Sequence, residues 1–379
     1  MRIAVISHGL RVAGAKSVGT NIVGALPRVR PEHDYYFVIP EDPDYRAVLR
    51  SRDEVLGFAH RSYPQRLLFD QRILPERIAR FAPEAVFSLG NMGIPVRGAF
   101  QAVLFHTAQL VYPRHHWGPV GLSDDLWIQL VKRRLRRSLR YTNLVFCQTD
   151  VVRRRFRQEF SFDGDVCLLP NAISSAIIQS FRAASLEQPH DRRPLRLLAL
   201  SRYYPHKNLE LIVSAFEHHR EELRGVEVTL TIAPDQHPRA AALLERVERL
   251  GLTSSIRNLG PIPQETIAVH FLASDGLLLP TLLESFSGTY LEAMSLGRPV
   301  LTSDLDFARA TCGGAALYFD PWSPAGLAAS ICRLRDDSSV RWRLSSAGLR
   351  RAGAVNSSWD EIVGQAMGEI ESRMQRSAC

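Results

Sequence analysis

Short apolar runs recur along the chain, each followed by a polar, glycine- or proline-bearing segment and then by a stretch whose apolar positions have helical spacing. In the first half the runs Arg2 to Ser7, Tyr35 to Ile39, Ala85 to Ser88, Ala102 to His106, Leu144 to Cys147 and Val166 to Leu169 predict buried strands. The pattern restarts at Leu195 to Leu200. It continues through Glu227 to Ile232, Ile256 to Leu259, Gly276 to Leu279, a run ending at Ser303, and Ala316 to Phe319. Helices are predicted between most of these runs, and residues 338–354 and 359–376 read as terminal helices. Such alternation implies parallel strands with helical crossovers. The chain therefore reads as two similar α/β halves, with the polar, breaker-rich segment Ser180 to Pro194 as candidate linker.

The stretch Leu278 to Ser303 concentrates candidate chemistry. Pro280 ends the strand because proline cannot donate to a ladder. Thr289-Tyr290-Leu291-Glu292 fits a capping box, which places a helix start near Gly288 or Thr289. Gly297 and Pro299 stop that helix after about two turns. A helix start beyond a strand offers unpaired N–H groups and the positive end of the macrodipole, which suits a phosphate. Ser285, Ser287 and Gly288 allow close approach of a ligand. On these grounds Glu292 either caps its own helix or meets a ligand, and Glu284 is either a solvated loop acid or a site residue.

Two further loops follow the first strand of each half. His8 to Ser17 nearly reproduces a P-loop, but Ala15 separates Gly14 from Lys16 and no G-x-G-x-x-G occurs, so a kinase or ATPase is not indicated. Ser201 to Asn208 carries Arg202 and Lys207, two cations expected at the carboxyl edge of a sheet, where such folds place ligands. His106 ends its own strand at the same kind of edge. The aromatic segment Thr107 to Trp117 reads either as a pocket wall or as a membrane-surface loop. Ile128 to Tyr141 places apolar residues at 128, 131, 135 and 139 with basic residues elsewhere. That is an ordinary helix with a solvated basic face, or an interfacial helix meeting anionic lipid through Lys132 to Arg140.

At 379 residues, 45% hydrophobic and 23% charged, the chain suits two soluble domains. No apolar run reaches the roughly 18 residues of a spanning helix, so a cytoplasmic protein is expected, with peripheral contact to the inner face of the plasma membrane as the variant reading. The five cysteines are widely spaced and the histidine pairs lack ligand spacing, so neither disulfides nor a metal is expected. Residues 1–176 hold 25 Lys+Arg against 16 Asp+Glu, whereas 177–379 hold 22 against 23, so the net +8 lies in the first half. No nucleic-acid module accompanies that charge, and no nucleic-acid partner is expected. Lys occurs only at 16, 132 and 207 in a chain that otherwise uses Arg, which marks these positions as ones where a compact ammonium is wanted.

Taken together, the Glu284, seven residues, Glu292 motif inside ESFSGTYLEAMSLGRPVLTSD, the SRYYPHKN loop, LLPNAIS, the Asn258 to Pro261 turn and Ser358-Trp359-Asp360 resemble retaining glycosyltransferase family 4. The resemblance covers the second half almost throughout and rests in the first half on Gly14, His106 and Cys147 to Asp150. It implies a GT-B fold: two Rossmann-like β/α/β domains facing each other across a cleft, with a C-terminal helix returning to the N-terminal domain. The implied limits are 1–178 for the acceptor-side domain, 179–355 for the nucleotide-sugar domain and 356–379 for the returning helix. By the resemblance Arg202 and Lys207 hold the diphosphate of a sugar nucleotide, helped by amides from Ser287 to Thr289. Glu292 accepts from the ribose hydroxyls, Glu284 and His106 lie near the donor sugar, and Gly14, Ser285, Phe286, Ser287, Gly288 and Thr289 shape the donor site. Where the family often has E-G-F-G-x-P this chain has Glu284-Ser285-Phe286-Ser287-Gly288-Thr289, and Gly14-Ala15 replaces a common glycine pair. The implied activity is metal-independent, cofactor-free transfer of a hexose-type sugar from a GDP- or UDP-sugar to a glycan or lipid-linked acceptor in bacterial surface polysaccharide or lipopolysaccharide synthesis. Its rivals are a phosphorylase or epimerase of the same fold and a non-catalytic sugar-nucleotide-binding partner.

Overall fold

The computed structural model describes residues 1–51, 53–59, 62–173, 194–355 and 357–378. The predicted boundary at 178 and the linker Ser180 to Pro194, Pro194 apart, lie outside the described residues. The apolar runs form two parallel sheets. One holds β1 (Arg2–Ile6), β2 (Asp34–Pro40), β3 (Glu54–Phe58), β4 (Ala85–Ser88), β5 (Phe100–Phe105), β6 (Leu144–Cys147) and β7 (Asp165–Leu168) in the order β3-β2-β1-β4-β5-β6-β7. The other holds β8 (Leu195–Ala199), β9 (Val226–Leu230), β10 (Ile256–Asn258), β11 (Gly276–Leu279), β12 (Val300–Ser303) and β13 (Ala316–Phe319) in the order β10-β9-β8-β11-β12-β13.

Both sheets share one winding logic. The chain builds outward in one direction from its first strand, then crosses over and builds in the other. The strand order therefore reverses between β1 and β4, and again between β8 and β11. Loops leaving the carboxyl ends of two such neighbours must diverge to opposite faces, which opens a crevice at that point. Central strands are apolar on both faces because helices cover both: Ile3, Ala4 and Val5 of β1 and Leu277 and Leu278 of β11 are fully buried.

The chain divides into two compact units, Met1–Val111 with Leu122–Ala172 and Ser357–Cys379, and Tyr112–Gly121 with Ile173–Asn356. Within the first, the C-terminal helix Trp359–Ala378 buries Ile362, Val363, Ala366, Met367 and Ile370 in one core with Ile22, Val23 and Leu26 of the helix Ala13–Val29. Its polar edge is fixed as well: Glu371 accepts from Arg30 Nε at 3.0 Å and lies 3.1 Å from His33 Nε2, and Arg28 donates to Asp360 at 2.7 Å.

The structure corrects several expectations. Strand β3 is absent from the sequence reading; it is a half-exposed edge strand without a buried run, so its apolar pattern is weak. The helix after β1 begins at Ala13, so Gly14 lies in its first turn and not in a loop. The Thr107 to Trp117 segment buries Tyr112, His116 and Trp117, with Trp117 Nε1 donating to the Tyr112 carbonyl at 3.0 Å, so these side chains are packing groups and not a membrane-facing surface. In the helix Leu122–Ser138 the apolar stripe Ile128, Val131 and Leu135 is buried, and Leu139 just beyond it as well. Of its basic residues, Lys132 and Arg136 are paired with Glu159 at 3.1 and 2.8 Å. They are structural ties to the helix Asp150–Phe160, which leaves a smaller basic face than Lys132 to Arg140 suggests.

Candidate functional site

The two loops at the strand reversal of the second sheet are those the sequence marks. The loop after β8 ends in a tight turn, Pro205–Lys207, closed by Asn208 in the left-handed conformation (φ 55°). Asparagine tolerates that conformation, and its Nδ2 is anchored to the Pro321 carbonyl at 2.8 Å. The loop after β11 is stitched to this turn: the His206 carbonyl accepts from the Leu282 amide at 2.7 Å and from Thr281 Oγ1 at 3.2 Å. His116 Nδ1 lies 2.9 Å from the Leu282 carbonyl, and any Cβ at Gly118 (φ 76°) would meet the Pro205 carbonyl oxygen at 2.5 Å. Backbone bonds thus bring Lys207 and Glu284 together, and Lys207 Nζ donates to Glu284 Oε1 at 2.5 Å. Arg202, on the same loop, is exposed.

The helix Gly288–Ser295 starts immediately beyond this pair. Its N-cap is Ser287, which makes no side-chain cap; the Tyr290 amide donates to the Ser287 carbonyl at 3.2 Å, whereas helix geometry gives the Gly288 and Thr289 amides no carbonyl within the helix. Tyr290 and Thr302 share a buried 2.6 Å hydrogen bond, and Thr302 Oγ1 also donates to the Leu279 carbonyl at 3.0 Å, so helix, β11 and β12 are tied at one point. Gly297 (φ 65°) follows the helix in the left-handed conformation, as predicted. The capping box, however, does not form. It requires Thr289 as N-cap, whereas the observed N-cap is two residues earlier and Glu292 lies in the second turn. Its carboxyl group binds no described residue, and burial pushes its pKa up to about 7. An unpartnered, shielded carboxyl beside a helix start is unexplained by helix stability alone. Ser285 and Phe286 are half-buried on the connecting loop, and Ser287 is buried.

In the first unit, the strand reversal between β1 and β4 opens a cavity of about 560 Å³. His8 and Gly9 line it from the loop after β1, Gly90 and Asn91 from that after β4, and His106 from the end of β5. Asn91 Oδ1 accepts from the amides of His106 (2.7 Å) and Thr107 (3.1 Å), so its amino group is the donor toward His106 Nε2 at 3.3 Å. The neutral imidazole therefore carries its proton on Nδ1. Burial, with the Arg66 charge, lowers the His106 pKa to about 4, so the ring is neutral at pH 7. Gly14 contributes nothing to this wall: it is exposed, with open space where a Cβ would stand. Lys16 bonds Asp42 and Asp44, each at 2.7 Å, which identifies it as a structural cation.

Sequence reasoning missed His8, Arg66, Asp70, Asn91 and Arg134. His8 carried the same signal as His106, a position directly after a buried strand. Nothing in the spacing announced that Asp70, 62 residues away, would meet it at 2.8 Å. Among the described residues no group of His, Cys, Asp and Glu has an arrangement suited to a metal ion.

Residues 194–337 match the family model of glycosyl transferases group 1. The chain is 30% identical over 162 residues to the O-antigen chain mannosyltransferase B of Escherichia coli, covering 42% of each. The matched stretches cover 29% and 46% of two further curated relatives, so the chain spans less than half the length of these proteins. The fold is similar to that of the sucrose-phosphate synthase of Thermosynechococcus elongatus, with TM-score 0.76, 17% identity and 99% of each chain covered. HepE of Anabaena, solved with UDP and glucose, gives TM-score 0.71 at 16% identity, covering 98% of this chain and 100% of that one.

Proposed function

We propose that this chain, whose residues 194–337 match the family model of glycosyl transferases group 1, is a metal-independent retaining hexosyltransferase. It uses a GDP- or UDP-linked sugar and extends a glycan or lipid-linked acceptor of a bacterial surface polysaccharide. The reading is carried by the second unit's switch point, where Lys207, Glu284 and the start of the helix Gly288–Ser295 converge. As the bond from the sugar C1 to the diphosphate oxygen breaks, negative charge grows on the leaving diphosphate. A fixed ammonium, the Arg202 guanidinium and helix amides stabilise that charge without reorganisation. The acceptor hydroxyl oxygen then bonds C1 on the same face, and its proton passes to the departing diphosphate oxygen. Glu292, shielded and without a partner among the described residues, is suited to accept from ribose hydroxyls. His106 and the cavity beside it are assigned to sugar and acceptor recognition.

Support from relatives is consistent in kind: one is named a mannosyltransferase and one fold neighbour was solved with UDP and glucose. No helix among the described residues is long and apolar enough to cross a membrane. Peripheral contact with an anionic bilayer would rest on Leu126, Trp127 and Leu130, which are exposed, together with Arg133 and Arg137. A panel of GDP-, UDP-, ADP- and dTDP-sugars tests the proposal by thermal shift, followed by transfer assays with lipid-linked glycan acceptors. One nucleotide is expected to raise the melting temperature well above the others and to support product with retained anomeric configuration. Equal indifference to all four would overturn it.

A further inference from the structure

The first unit's cavity has a charge pattern that the transfer chemistry leaves unexplained. Three guanidinium groups line it, from Arg66, Arg134 and Arg137, against one carboxylate, Asp70. Asp70 sits in a widened helical turn, Phe69–Ile73, between the helices Tyr63–Leu68 and Leu74–Phe81. Pro75 just beyond supplies no N–H to the ladder, and such turns re-aim side chains. Both carboxylate oxygens are committed. Oδ1 lies 2.8 Å from Nε2 of the buried His8, while Oδ2 lies 3.4 Å from Arg134 Nη2 and 3.7 Å from Arg66 Nε.

One carboxylate thus positions two guanidiniums and can neutralise only one. Arg137 adds a third positive charge and has no ion pair with a described residue. Arg66 also lies over the backbone of Gly9: a Cβ there would be 2.4 Å from its Nη2. Glycine at 9 therefore lets the guanidinium settle against the loop after β1, at the strand reversal where this fold places ligands. The surplus of two positive charges matches a phosphate monoester, which carries about −1.5 to −2 at pH 7, and planar guanidiniums bind phosphate oxygens in pairs.

We propose that this cavity is a phosphate site, in which Arg66, Arg134 and Arg137 bind a phosphoryl group borne by the acceptor, with Asp70, His8 and Gly9 as positioning residues. The assignment to an acceptor rests on the transferase reading; the phosphate site itself does not. Two sources of the phosphoryl group share this chemistry, a soluble phosphosugar and a lipid-linked phosphate. The helix Leu122–Ser138 favours the second, since exposed Leu126 and Leu130 lie about one to three turns before Arg133, Arg134 and Arg137, and Trp127 both lines the cavity and is exposed.

The test is equilibrium binding of methyl phosphate, dodecyl phosphate and phosphatidylcholine vesicles with and without phosphatidic acid, by calorimetry or cosedimentation, with no turnover required. Arg134→Gln and Arg66→Gln are each expected to weaken phosphate binding by roughly tenfold, about 1.4 kcal/mol. Arg137→Gln, at an exposed position, tests the same wall without disturbing Asp70 and should weaken it severalfold. Arg133→Gln, on the same helix but outside the cavity, should leave methyl phosphate and dodecyl phosphate binding unchanged, and Arg249→Gln, exposed in the other unit and remote from both sites, should leave the binding of every probe unchanged. Arginine-dependent binding of methyl phosphate identifies a soluble source. The same dependence seen only with dodecyl phosphate or phosphatidic acid identifies a lipid-borne one. Equal losses of methyl or dodecyl phosphate binding from Arg133→Gln and Arg134→Gln, or no loss from any cavity variant, would overturn the site. If the cavity binds phosphate as expected while no sugar nucleotide stabilises the protein, the transferase reading fails and the phosphate site stands.

Discussion

Lys207 Nζ and Glu284 Oε1 are 2.5 Å apart, although 77 residues separate them in the chain. The turn that carries the lysine and the loop that carries the glutamate are joined at the His206 carbonyl by the Leu282 amide and the Thr281 hydroxyl, so the pair belongs to the scaffold and not to two mobile side chains. Lys207→Ala is expected to lower turnover by about 10² or more, since removing one charge-stabilising group costs of order 2.7 to 4 kcal/mol. Glu284→Gln keeps an oxygen acceptor for the ammonium and should preserve thermal stability better than Lys207→Ala. Steady-state kinetics with calorimetry separates the two effects, and near-normal turnover of Lys207→Ala would remove the diphosphate assignment.

Glu292 gives a pH-dependent prediction. Its folded pKa, about 7, lies above the ordinary 4.5, so the unfolded chain releases this proton first. Stability from this group is full below pH 4.5 and is lost as pH rises through 7, by at most about 3 kcal/mol. Glu292→Gln should therefore raise the melting temperature at pH 8 and leave it nearly unchanged at pH 4.5. The same substitution should weaken nucleotide binding. A variant that is destabilised at pH 8 would show that the carboxylate supports the fold.

For His106, burial sets the opposite sign on a base. Its folded pKa near 4 lies below the usual 6.5, so stability from the neutral ring is present above pH 6.5 and is lost as pH falls toward 4. The ring should show no titration near 6.5 by NMR. Asn91→Ala removes the acceptor for two amides and the donor to Nε2. It should reduce turnover by roughly tenfold, the scale of about one charge-free hydrogen bond in a buried network. Nucleotide affinity should be unchanged.

The terminal helix is a core element of the first unit. Met367→Ala should cost about 2 to 5 kcal/mol in denaturant unfolding, the range for truncating a buried methionine. Nucleotide affinity measured on the folded protein should remain as in the parent chain. A loss under 1 kcal/mol would mean that the helix packs more loosely than its burial implies.

Strand positions were readable because a strand covered on both faces leaves a compact apolar run, as at Leu277 to Leu279, whereas β3, exposed at a sheet edge, leaves none. The resemblance to a glycosyltransferase family singled out Lys207, Glu284 and Glu292, and the structure shows Lys207 paired with Glu284 and Glu292 without a partner among the described residues. Glu292 is released from capping because the helix starts two residues earlier than the capping pattern requires. Gly14, marked by the same resemblance, sits in a helical turn with nothing near it.

The sequence by itself determined which residues lie at the carboxyl ends of buried strands, since apolar runs and the breakers after them are local properties. Two parallel sheets, a cationic loop and a helix start beyond Pro280 all follow from that local pattern. Only the tertiary structure decided which of these meet. The strand order brings β8 beside β11 and β1 beside β4, and contacts across such reversals depend on packing of whole helices against sheets. The pairs Lys207 with Glu284 and His8 with Asp70 are consequences of that packing, and no spacing along the chain encodes them.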